Sequence, residues 1–132
     1  MSLTSRLRMF QGGYKEKIMR TNFQMEYQNI TMVKGDTLAF NVEVRDQDGE
    51  ILEVDSANMT CKKDPLGEDV VFHKYIGNGI IQSEGLLTVR VATLDTKDAD
   101  AGRYFYDLNI GVGNDIFTLM IGTLTLEQDV TI

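Results

Sequence analysis

One cysteine, one proline, one histidine and no tryptophan occur in 132 residues, and each scarcity excludes something. A lone Cys61 cannot form a disulfide within the chain, so the fold has to be held by packing, and an oxidising compartment is not required. With His73 and Cys61 the only members of their kind, no His/Cys zinc site is available within one chain. Without tryptophan the broadest flat ring for a sugar platform is missing, although five tyrosines keep carbohydrate recognition open. No apolar run approaches the roughly 20 residues of a membrane helix. Arg6, Arg8, Lys15, Lys17 and Arg20 interrupt any leader-like apolar segment at the start. The expectation is a protein outside the membrane and not exported through a cleaved leader.

What is present begins with charge. Residues 1–25 set Arg6, Arg8, Lys15, Lys17 and Arg20 against Glu16 alone, a formal +4, which leaves −11 for the remainder of a chain whose net charge is −7. The division predicts a basic N-terminal arm over 1–25 and a folded body over 26–132. An acidic body repels phosphates, because nucleic-acid binding rests on Lys and Arg displacing counterions. Any contact with nucleic acid is therefore left to the arm. A chain of this length buries roughly 68% of its unfolded surface, enough for one core.

From residue 26 the apolar residues recur with period two. Leu38, Phe40, Val42 and Val44 alternate with more polar neighbours, the mark of a strand buried on one face. Further strands are expected over 28–33, 57–63, 70–75, 86–92, 103–112 and 116–126. Turns are expected at Asp46-Gln47-Asp48-Gly49, Pro65-Leu66-Gly67, Gly77-Asn78-Gly79 and Gly111-Val112-Gly113-Asn114-Asp115. About seven antiparallel strands at intervals near ten residues favour an all-β sandwich over a barrel. A single helical turn is expected over 95–100, where Asp95 and Thr96 supply capping side chains and Gly102 follows.

The arm has a different pattern. Leu3, Leu7, Phe10, Tyr14 and Ile18 recur at helical spacing, and Gly12-Gly13 divides the stripe. Two short helices about a hinge, or an extended strap, are the two readings. An isolated helix of this length is marginal in water, so an ordered arm needs a surface to lie on. Phe10, Tyr14, Ile18 and Met19 are the expected contacts with a neighbouring subunit; the alternative is a solvated leader.

The most informative stretch is Asp100-Ala101-Gly102-Arg103-Tyr104-Phe105-Tyr106. In immunoglobulin-like sandwiches a tyrosine at such a corner bonds back to the upstream backbone, two residues before the second disulfide cysteine. Tyr104 fits the corner position and Tyr106 the cysteine position, with Asp100 and Gly102 making the turn. An immunoglobulin-like antiparallel sandwich held shut by a ring in place of a disulfide is the resulting expectation.

Candidate chemistry is sparse. His73 lies in a period-two run and reads as a half-buried strand residue without an identifiable catalytic partner. Cys61 alternates with Ala57 and Met59 on an inward face and reads as a small buried hydrophobe. Asp46-x-Asp48-Gly49-Glu50 puts glycine fourth, whereas the helix-flanked calcium loop needs it sixth with a glutamate twelfth. A hairpin turn is the better account. Asn29-Ile30-Thr31 and Asn58-Met59-Thr60 match the glycosylation tripeptide but fall within expected strands. Gly77-Asn78-Gly79 lacks the lysine and helix of a phosphate loop. No catalytic residues, metal or cofactor are assigned, and an enzyme is the least favoured class.

The segment from Ile30 to Val42, containing Lys34-Gly35-Asp36-Thr37, followed by Asp46-Gln47-Asp48-Gly49, resembles the opening of the immunoglobulin-like domain at the N-terminus of tailed-phage baseplate upper proteins. Asp95-Thr96, the run from Gly102 to Asp107 and the run from Gly122 to Thr131 echo later motifs of that family in order, so the resemblance covers about residues 28–131. It implies a non-enzymatic module of a phage or prophage particle at a tail, baseplate or neck, made in the bacterial cytoplasm and holding other particle proteins in place. The family's downstream receptor-binding or fibre segments are not matched, and the basic arm is an addition. Homo-oligomerisation through the arm and through edge strands at 28–33 and 124–131 is the expected mode. A carbohydrate- or peptide-binding sandwich is the alternative.

Overall fold

The computed structural model describes residues 3–10, 14–21, 26–45 and 49–128, by backbone alone as far as residue 26. In chain order the elements are β1 (Leu3–Phe10), β2 (Tyr14–Thr21), β3 (Glu26–Tyr27), β4 (Ile30–Val33), β5 (Leu38–Arg45) and β6 (Ser56–Lys62). There follow β7 (Val70–Ile76), β8 (Gly79–Ser83), β9 (Leu86–Val91), α1 (Thr93–Thr96), β10 (Gly102–Val112) and β11 (Asp115–Glu127). The seven strands expected from periodicity are all present, as β4, β5, β6, β7, β9, β10 and β11. The arm strands, the short β3 and β8 are additional.

Alternation explains the long strands. In β5 every second residue is buried, and Leu38, Phe40, Val42 and Val44 meet Leu87, Val89 and Val91 of β9 on the same face. From the other side come Ala57, Met59 and Cys61 of β6, Tyr104, Tyr106, Leu108 and Ile110 of β10, and Met120, Leu124 and Leu126 of β11. These rows form one apolar core, whose removal from water is the main stabilising term. Strand order runs β2-β1-β5-β9-β8-β7-β6-β10-β11-β3, with β4 also on β11. The first half faces the second across the core, and a short β7–β8 pairing (Tyr75 with Gly79, Ile76 with Ile80) seams the two layers. The result is an all-β, sandwich-like fold bent nearly into a barrel.

Three expectations are corrected, and the choice between the two readings of the arm is decided. The sheet is mixed: β3 and β4 run parallel to β11, and β7 runs parallel to β8. Leu124–Leu126 of β11 is not a free edge, because β10 flanks it on one side and β4 on the other. Residues of the arm take strand, not helix: β1 pairs antiparallel with β2 and with β5, so the extended reading holds over 3–10 and 14–21. The helical turn begins at Thr93, two residues earlier than its capping side chains suggested, since Asp95 sits inside it. There the Asp95 carboxylate accepts the Ala92 amide at 2.6 Å and the Lys74 ammonium at 2.6 Å, tying the turn to β7. Asp46, Gln47 and Asp48, the Gly12-Gly13 hinge and residues 129–132 lie outside the described residues.

Candidate functional site

The corner forms as its residues require. The Tyr104 hydroxyl donates to the Asp100 carbonyl at 2.7 Å with the ring buried, while the Asp100 side chain stays in solvent. Gly102 adopts φ +148°, a conformation that residues with a Cβ rarely take, so glycine is required for its backbone rather than for space. Burial, and secondarily the Asp100 carboxylate, pushes the Tyr104 phenol above its ordinary range.

Tyr106 does more than fill the disulfide position. Its ring is buried beside Cys61, its register partner on β6. Its hydroxyl donates to the Gln28 carbonyl at 2.6 Å, 78 residues away. Burial raises the Tyr106 phenol far above its normal pKa and pushes the Cys61 thiol up to about 12, so both stay protonated at neutral pH. Gln28 is thereby fixed: its amide also donates to the Ile121 carbonyl at 3.0 Å. Next to it the Asn29 side chain accepts the Thr123 amide at 3.1 Å and the Thr123 hydroxyl at 3.0 Å. Gly122 permits this approach, since a Cβ there would stand 2.1 Å from the Gln28 carbonyl oxygen. Glycine inside a strand often marks such a contact, and that signal was readable in the sequence.

The corner residues Asp100, Gly102, Tyr104 and Tyr106 thus come together as architecture. His73 is exposed on β7, not half-buried; its Nε2 lies 2.9 Å from Asn58 Oδ1 and its ring 5.2 Å from that of Tyr75. The described residues contain no cluster of three His, Cys, Asp or Glu able to hold a metal. Phe10, Tyr14, Ile18 and Met19 fall on the β1–β2 hairpin, Phe10 opposite Tyr14, and their side chains lie outside the described residues.

One surface was not singled out by the sequence. On the outer face of the layer β7-β6-β10-β11-β3, strand register lines up His73, Thr60, Asp107, Ile121 and Tyr27 in a single row. A second row sets Lys62 opposite Phe105 and Phe105 opposite Thr123. Between the rows is a shallow pocket of about 170 Å³ lined by Thr60, Lys62, Pro65, Phe105, Asp107 and Ile121, with Gly122 and Tyr106 at its base. Desolvation raises the Asp107 carboxyl above its usual range, with Lys62 acting in the opposite sense. Yet the Lys62 ammonium is drawn away, donating to the Gly67 carbonyl at 3.1 Å. Among the described residues nothing donates to Asp107. Tyr27, 73% exposed, and Leu66, 95% exposed, stand on the same side of the molecule as strand and turn residues beside this pocket.

No family model matches the chain, and no curated protein matches it either.

Proposed function

We propose that the chain is a non-enzymatic assembly module of a phage or prophage particle, acting at a tail, baseplate or neck and docking to neighbouring subunits through its N-terminal hairpin and its strand edges. The observation that supports this most is where the open edges fall. One end of the strand order is β2, on the basic hairpin; the other is β3 with β4. Each of these strands is bonded on one side only among the described residues, and an unpaired edge is a template for a strand from another chain. An acidic body with a basic hairpin adds opposite charges for steering subunits together. On this reading the protein is made in the bacterial cytoplasm, joins the particle, and forms homo-oligomers with other particle proteins as further partners. Crosslinking the purified protein at micromolar concentration, alone and with products of neighbouring reading frames, tests it. Discrete oligomers or a captured partner support the reading; a monomer that binds none of those products contradicts it.

A carbohydrate- or peptide-binding module is the second reading, favoured by the Asp107 pocket, which pairs a carboxylate acceptor with the Phe105 ring. Strong and selective signals on a glycan array would favour it over assembly.

A further inference from the structure

We infer that the Asp107 pocket is the seat for a lysine or arginine side chain from the basic N-terminal hairpin of a second copy of this chain. The inference rests on the assembly reading above and names the contact that would carry it.

Asp107 is an acceptor-only group in an unfavourable place. Its carboxylate is partly desolvated in a pocket with Phe105, Ile121 and Pro65, where Lys62 acts on it electrostatically while donating a hydrogen bond to the Gly67 carbonyl. Such a carboxylate gains most from a charge-assisted donor brought in from outside. The lining suits a guanidinium or ammonium, since Phe105 supplies an aromatic ring and Ile121 an apolar wall for the aliphatic stem, with Tyr27 beside Ile121 in the strand register. A matching donor is already encoded: β1 and β2 carry Arg6, Arg8, Lys15, Lys17 and Arg20, against Glu16 alone, on a chain otherwise strongly acidic. Within one chain β1 is bonded to β5, in the layer facing β10, whereas Asp107 lies on the outer face of β10. The donor in this inference is therefore taken from a second molecule. Reciprocal exchange closes a dimer, and one-way contacts close a ring.

Sedimentation velocity on the full chain across micromolar concentrations, at low and high salt, is the test. Wild type is expected to self-associate, more weakly at high salt. Asp107→Asn is expected to weaken association about tenfold or more, the loss typical of one charge-assisted hydrogen bond. Asp98→Asn makes the same charge change on the exposed turn after α1 and is expected to leave association unchanged. Because removing a desolvated charge does not harm the monomer, Asp107→Asn should unfold at the same or higher denaturant concentration, which separates lost contact from lost fold. Charge exchange closes the argument: Asp107→Lys mixed with an Arg6→Glu/Arg8→Glu variant should recover association that Asp107→Lys alone lacks. If wild type associates and Asp107→Asn matches it, the pocket inference is overturned while assembly through edges stands. If wild type stays monomeric throughout, the second-copy contact is overturned together with homo-oligomerisation.

Discussion

Replacing Gly122 by alanine should separate a local propensity effect from a tertiary one, because the two carry opposite signs. Alanine in an extended strand is ordinarily worth about 0.5–1 kcal/mol over glycine, through the unfolded chain's lost freedom. Here the new Cβ would stand 2.1 Å from the Gln28 carbonyl oxygen and 2.8 Å from its carbon, and both are backbone atoms that no rotamer change can move. The segment 27–29 must therefore shift outward. That shift breaks the Gln28 amide bond to Ile121, the Tyr106 hydroxyl bond to Gln28 and the paired contacts of Asn29 with Thr123. At about 0.5–1.5 kcal/mol for each of these four hydrogen bonds the loss is roughly 2–6 kcal/mol, or about 3 kcal/mol at mid-range once the alanine gain is taken off. For a domain of this size that is roughly a 10 °C fall in Tm. Urea denaturation gives the free energy, and amide hydrogen exchange at Gln28 and along β4 locates it. A Gly122→Ala variant as stable as wild type, with the Gln28 amide still protected, refutes the close-approach reasoning.

Other consequences can be checked alongside. Tyr104→Phe removes the corner bond to the Asp100 carbonyl and should cost about 1 kcal/mol, measured by urea melts, with no change in association. Asp95→Ala strands the Lys74 ammonium, whose residue is 8% exposed, and frees the first turn of α1; a loss of roughly 3 kcal/mol is expected by the same assay. Cys61, buried and with its thiol pushed up to about 12, should resist thiol reagents at pH 8 in the native state and react only as fast as the protein unfolds. Cys61, Tyr104 and Tyr106 all have folded pKa values above their unfolded ones. Their contribution to stability is complete below the unfolded values, near pH 9 to 10, and is lost as pH rises toward 12 and beyond; alkaline melts should show the decline beginning there and not near neutrality.

How far the sequence spoke for the structure depended on whether the determining contact was local. Period two in Leu38 to Val44 and in Tyr104 to Ile110 marked the inner rows because burial on one face is written at every second residue. The corner was legible for the same reason, its donor and acceptor lying four residues apart. Strand β8 was hidden: Gly77-Asn78-Gly79 reads as a turn, and Gln82 and Ser83 dilute the apolar signal, so only pairing with Leu86 and Leu87 reveals it. In the arm, spacings of three and four fit a helix, yet hydrogen bonding to β5, distant in sequence, holds the backbone extended. The parallel docking of β4 on β11 is likewise non-local and joins two segments that each looked like an edge. Asp107 carried no sequence signal of its own. Its meaning comes from its row neighbours Thr60 and Ile121, brought together only by strand register.

The central claim is that this sandwich exists to be joined to other subunits, and the mass of the full-length protein in solution tests it most directly. Sedimentation at micromolar concentration in low salt should give species heavier than one 14.9 kDa chain, shifting toward monomer as salt is added. A single monomeric species at every concentration and salt, unaltered by products of the adjacent reading frames, would contradict it.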